Sequence, residues 1–142
     1  RELRQEIEKI FVDDREFSNI MISVLSFGFK YGTPSEADII FDVRCLPNPF
    51  YIPELKNFTG LDKNVYDYVM KWDQTKGFLE RLISLIEYML PLYCDEGKSQ
   101  LMIAIGCTGG KHRSVATAQY LYEYLIKKGY RASVHHRDIR RT

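Results

Sequence analysis

The chain has 142 residues and a formal net charge of +1, enough for one domain with one core. No apolar run approaches the roughly 20 residues that span a bilayer and no signal pattern opens it, so a membrane protein is not expected. The three cysteines, Cys45, Cys94 and Cys107, are widely spaced and odd in number, which excludes a disulfide framework or a zinc motif and points to a reducing cytoplasm.

The elements follow in chain order. Asn19 to Phe27 is a β-branched and apolar run closed by glycine, and reads as a buried strand. Asp38 to Val43 reads as a second strand. Pro47, Pro49 and Pro53 then enforce a loop. Asp62 is placed to cap a short helix reaching about Lys71. Phe78, Leu82, Ile86, Met89 and Tyr93 recur at helical spacing, predicting an amphipathic helix over 75–93 with Pro91 near its end. Leu101 to Ile105 is apolar throughout and reads as a strand covered on both faces. Val115, Ala118, Leu121, Tyr122 and Leu125 mark one face of a further helix that stops near Gly129. Tyr130 to His135 reads as the last strand. Alternating strands and helices imply an α/β fold with a largely parallel sheet, flanking helices and a Rossmann-like build.

In such a sheet, ligands bind where loops leave the carboxyl ends of strands. Three loops qualify here: Ser26 to Gly32, the segment holding Asp42, Val43, Arg44, Asn48 and Pro49, and Gly106 to Ser114. The third reads as a phosphate-binding loop at a strand-to-helix turn. Gly109 and Gly110 let the backbone present its N–H groups, and the helix behind adds free N–H groups and the positive end of its dipole. Arg113 can fork two hydrogen bonds onto an oxyanion, while Lys111 and His112 add charge or donors. Cys107, Thr108 and Ser114 complete the loop. The competing structural reading is a tight turn carrying surface charges. The spacing is not that of a Walker A loop, so nucleotide hydrolysis by this chain is not expected.

The same loop spells Cys-x-x-Gly-x-x-Arg-Ser, the spacing of the cysteine-dependent phosphatases. A cysteine at a helix N-terminus beside cations is placed where a thiolate is favoured. That reading stands as the alternative. Against it, Gly106 occupies the position where those enzymes usually carry histidine, and no Trp-Pro-Asp acid loop is present, since Asp73 follows Trp72 directly. Asp42 would have to supply the acid, or else it pairs with Arg44. No residue is therefore assigned a catalytic role, and no His, Cys or carboxylate cluster suggests a metal.

Charge is unevenly spread. From Lys111 onward eight Lys and Arg face two acids, a balance of +6 that leaves −5 for the first 110 residues. Lys127, Lys128, Arg131, Arg137, Arg140 and Arg141 are therefore candidate RNA contacts; a solvated helix end and tail is the plainer reading.

Several ordered motifs together resemble one family. Ser26-Phe-Gly-Phe-Lys-Tyr-Gly32, Phe41-Asp-Val-Arg44, Leu46-Pro-Asn-Pro49, Thr59-Gly-Leu-Asp62 and Ala104 through Ser114 look like the C-terminal domain of the RapZ/YvcJ family. The resemblance implies that residues 1–17 are a lead-in, a linker or helix from a preceding P-loop domain, and that 18–142 form a sensory and effector domain. It places ATP and GTP on that preceding domain and no cofactor on this one. It implies a phosphorylated ligand of the amino-sugar class, glucosamine-6-phosphate in enterobacterial members. It also implies small RNA and a ribonuclease as partners (an RNase adapter role), and a homo-oligomer. By resemblance, Asp42, Cys107, Thr108, Gly109, Gly110, His112 and Arg113 line the ligand pocket. One departure stands out. Where the family often has a histidine after Leu46-Pro47-Asn48-Pro49, this chain has Phe50, which bears on hexosamine specificity and not on anion binding.

Overall fold

The long apolar runs become the centre of a four-stranded sheet in a computed structural model that describes residues 20–141. Strands β1 (Met21–Gly28), β2 (Ile39–Asp42), β3 (Gln100–Cys107) and β4 (Arg131–His136) lie in the order β2-β3-β1-β4, and every pair is parallel. The two most apolar strands, β1 and β3, take the middle, where both faces are shielded, and the shorter or more polar strands take the edges. Register places Ile22 beside Leu101, Val24 beside Ile103 and Ser26 beside Ile105.

That register sorts the side chains onto two faces. Ile22, Val24, Leu101, Ile103 and Ile105 join Leu79, Leu82, Ile86 and Leu90 of α2 (Asp73–Asp95) and Ala118, Leu121 and Leu125 of α3 (Arg113–Lys127) in the main core. Both long helices thus pack on one face of the sheet. The opposite face carries Leu25, Phe27 and Ala104, with Phe29 and Ala37 of the β1–β2 connection packed against them. The short helix α1 (Lys63–Met70) builds a smaller cluster from Val65 and Val69 with Leu55 and with Ala116 of α3.

Most differences from the sequence expectation lie at element ends. Strand β1 runs on through Gly28 and β3 through Cys107, so two of the expected loops are shorter than read. Pro91 lies inside α2, which continues a full turn beyond it to Asp95. Asp62 does occupy the N-cap of α1, but its carboxylate accepts from the Thr59 amide at 2.8 Å and makes no cap bond to the helix. Gly129 follows α3 with φ +93°, the left-handed geometry expected of a helix stop. The expected lead-in over 1–17, and Asn19 at the start of the first expected strand, lie outside the described residues. Among the described residues, no helix is long and apolar enough to cross a membrane.

Candidate functional site

At the carboxyl end of the sheet, the backbone between β3 and α3 is held by its neighbours through three carbonyls. The Gly106 carbonyl accepts from the Val43 amide at 2.9 Å, Thr108 from Lys30 at 3.2 Å, and Lys111 from Gly60 at 2.9 Å. Those three carbonyls are thereby spent on the loops around the turn. The amides of Thr108, Gly109, Gly110, Lys111 and His112 donate to no group among the described residues.

Glycine is required here by close backbone approach. Gly110 has φ +75°, and a Cβ there would lie 2.6 Å from the Gly28 nitrogen. A Cβ on Gly28 would in turn meet the Gly109 carbonyl carbon at 2.5 Å. The end of β1 and the turn after β3 therefore touch backbone to backbone. The Gly28 amide donates to Asp138 Oδ2 at 2.8 Å, which joins the segment after β4 to the same junction. Burial alone would raise the Asp138 pKa. Arg137, the Gly28 amide and Arg141 outweigh it and hold the carboxyl below its ordinary range.

A cavity of about 450 Å³ opens over this turn. Cys107, Thr108, Gly109, Lys111, His112 and Arg113 line it from the turn, and Asn48 lines it from the loop after β2. Lys30, Lys56 and Arg141 bring the lining cations to five with Lys111 and Arg113, and no carboxylate lines it among the described residues. Amides and cations converging without an acid is an arrangement that holds phosphate, sulfate or carboxylate oxygens.

Arg113 is only 5 % exposed and is partly committed to structure. One terminal nitrogen, Nη1, donates to the Arg44 carbonyl at 2.6 Å and to the Leu46 carbonyl at 3.2 Å, and so pins the loop after β2. Its Nε is buried with no hydrogen-bond partner. His112 is also committed. Its Nε2 lies 3.1 Å from the Lys56 carbonyl, so this nitrogen carries the proton and donates. Burial lowers the His112 pKa, so the ring is neutral near pH 7 and adds no charge to the turn.

Three sequence candidates stand apart from the cavity wall. Asp42 pairs with Arg44 at 2.6 Å, and that bond holds its carboxyl below the ordinary range. Ser114 is fully buried and accepts from Cys107 Sγ at 3.2 Å. Gly110 packs behind the turn on Gly28. The six C-terminal cations are also divided. Lys127, Lys128 and Arg131 gather at the start of β4 and Arg137, Arg140 and Arg141 follow its end, so a strand of about 20 Å separates the groups. Arg137 is further engaged with Asp138 and with the Gly32 carbonyl.

Lys30, Tyr31, Tyr51, Lys56 and Asn57 join the lining without having been singled out as ligand contacts. Lys30 and Tyr31 lie just after β1 in the Ser26–Gly32 loop that the strand-end rule marks, though neither residue was named as a contact. Tyr51, Lys56 and Asn57 belong to an irregular segment whose path no periodicity reveals.

Together, fold and site define an α/β domain of Rossmann-like build with a cation-lined cavity at the carboxyl end of its parallel sheet. A profile described as "RapZ C-terminal domain" matches residues 20–140. The chain belongs to that family. It is 55 % identical over 138 residues to a nucleotide-binding protein of Thermoanaerobacter sp. strain X514, covering 97 % of this chain and 49 % of that protein. It is 56 % identical over 138 residues to a nucleotide-binding protein of Caldanaerobacter subterraneus subsp. tengcongensis, again with 97 % and 49 % coverage. A nucleotide-binding protein of Clostridium acetobutylicum is 51 % identical over 140 residues, with 98 % and 48 % coverage. The chain thus spans about half the length of the curated relatives it matches.

Proposed function

We propose that this domain is a binding module whose ligand places a phosphate on the turn from Cys107 to Arg113. The observation that carries the reading is the orientation of that turn. Its carbonyls at 106, 108 and 111 are held by neighbouring loops, while the amides of Thr108, Gly109, Lys111 and His112, four residues that line the cavity, have no partner among the described residues and share that lining with five cations. The ligand class expected from the family resemblance is an amino-sugar phosphate or a related metabolite. A regulatory role through small RNA and a ribonuclease, a homo-oligomeric assembly and a cytoplasmic location belong to the same proposal. So does the placement of ATP and GTP on a P-loop domain outside this chain.

The phosphatase reading fares worse on geometry. A Cβ at 106 would enter the rings of Phe27 and Phe29, so the histidine those enzymes carry has no room. Asp42, held ionised by Arg44, is unsuited to protonate a leaving group.

Isothermal titration of orthophosphate and of glucosamine-6-phosphate into the chain and its Lys111→Ala variant tests the binding reading. Saturable binding weakened several-fold by the substitution is expected. Equal binding by both proteins would move the ligand elsewhere. For RNA, a gel shift whose affinity falls with rising salt is expected, and no shift at low salt would remove RNA from the proposal.

A further inference from the structure

Three of the residues that line the cavity are aromatic. Phe50 and Tyr51 follow Asn48 in a short 3-10 turn over Pro49–Tyr51, and Tyr31 approaches from the end of β1. The three rings are not equivalent. Arg141 lies 4.8 Å from the centroid of Tyr31 and Lys30 5.4 Å from it, while Lys56 lies 4.8 Å from that of Phe50. Tyr51 has no cation over its ring among the described residues. It makes a T-shaped contact with Phe50, at 5.7 Å between centroids and 84° between planes, and is 77 % exposed. Its neighbour Phe50 is 48 % exposed.

An exposed aromatic pair on a cavity wall has a specific chemical meaning. A sugar phosphate offers hydroxyls, for which carboxylates are the strong acceptors, and none lines this cavity among the described residues. A flat ring offers a π-face, which an open tyrosine face recognises by stacking. Asn57 lines the same cavity and brings a side-chain amide of the kind that reads the polar edge of a base, and Asn48, whose Oδ1 accepts from the Phe50 amide at 3.0 Å, adds its NH2 as a donor. About 450 Å³ lies within the size range of small-molecule sites and accommodates a nucleotide.

We propose that the ligand of this cavity is a free nucleoside phosphate, or the nucleotide portion of a nucleotide-linked sugar, with its phosphate on the Cys107–Arg113 turn and its base stacked on Tyr51. The inference rests on the phosphate reading above and adds the second half of the ligand. Tyr51 anchors the base, Phe50 buttresses it edge-on, and Lys56 keeps Phe50 in place through its ring.

Four probes separate the two ideas: orthophosphate, glucosamine-6-phosphate, uridine monophosphate and adenosine monophosphate. Each is titrated into the chain and into its Tyr51→Ala and Lys111→Ala variants by calorimetry, with tyrosine fluorescence as a second readout. Tyr51 is highly exposed, so its removal leaves the fold intact, which circular dichroism verifies. At least one nucleotide is expected to bind tighter than orthophosphate and to quench tyrosine emission. Tyr51→Ala should weaken that nucleotide roughly tenfold while leaving orthophosphate unchanged. Lys111→Ala should weaken both. If orthophosphate and the hexosamine phosphate bind, and the nucleotides bind no tighter or are indifferent to Tyr51→Ala, the base site is refuted and the phosphate site stands. If nothing binds, both fall. Binding of the nucleotide only as the phosphorylated end of an RNA chain would also overturn the small-molecule inference.

Discussion

Gly109 and Gly110 are adjacent and chemically identical, yet alanine should be costly at one position and nearly neutral at the other. At Gly110 the backbone has φ +75°, where an L-residue costs about 1–2 kcal/mol. A Cβ there would also lie 2.6 Å from the Gly28 nitrogen and 2.8 Å from the Phe27 carbonyl carbon. Both are backbone atoms of a central strand, which cannot swing aside as a side chain would. Forced overpacking of that kind costs about 1–3 kcal/mol. Gly110→Ala should therefore destabilise by about 3 kcal/mol and lower the melting temperature by about 10 °C for a chain of this size. At Gly109 a Cβ would meet nothing within 4 Å, so Gly109→Ala should stay within about 0.5 kcal/mol of the parent. Gly28→Ala touches the same contact from the other side, at 2.5 Å from the Gly109 carbonyl carbon, so its cost and that of Gly110→Ala should be sub-additive in the double variant. Urea unfolding followed by circular dichroism measures all four proteins. Equal losses at 109 and 110, or full additivity between 28 and 110, would refute the backbone-to-backbone junction.

Three further outcomes follow from the same geometry. Arg113→Met leaves the carbonyls of Arg44 and Leu46 without their donor and should cost about 2–3 kcal/mol in urea unfolding, besides abolishing orthophosphate binding; an unchanged midpoint would show that the guanidinium does not hold the loop after β2. Cys107→Ser should retain orthophosphate binding, and the parent chain should not turn over an aryl phosphate, whose good leaving group needs no acid; turnover abolished by that substitution would restore the phosphatase reading. His136 accepts from Ser26 Oγ at 2.7 Å and donates to Gln119 Oε1 at 3.0 Å, and burial pushes its pKa down to about 4. Because the folded value lies below the ordinary 6.5, its contribution is complete above pH 6.5 and is lost as pH falls toward 4, on the order of 2–3 kcal/mol. His136→Asn should flatten the stability profile between pH 6.5 and 4 relative to the parent, and parallel profiles for the two proteins would contradict the assignment.

The four strands and three helices were legible in the amino-acid sequence because each is driven by a local regularity. The apolar runs of β1 and β3 mark strands shielded on both sides, and the 3.6-residue recurrence of Leu82, Ile86 and their neighbours marks the buried stripe of α2. The turn before α3 was legible for a similar reason, since glycines, cations and a helix start follow one another within eight residues. Strand order, and with it the gathering of the cavity, was decided only in three dimensions. Lys30, the pair Tyr51 and Lys56, and Arg141 come from three separate stretches of chain, and their meeting depends on β1 and β3 pairing at the centre so that the segments after β1, β2 and β4 converge on one turn. Commitment was likewise decided by packing. The sequence leaves Asp42 open between the site and a pair with Arg44, and the fold brings Arg44 onto its carboxylate; it leaves His112 open between charge and donor, and burial and the Lys56 carbonyl fix it as a neutral donor. A sequence names the groups that can hydrogen-bond; packing decides which of them are already spent.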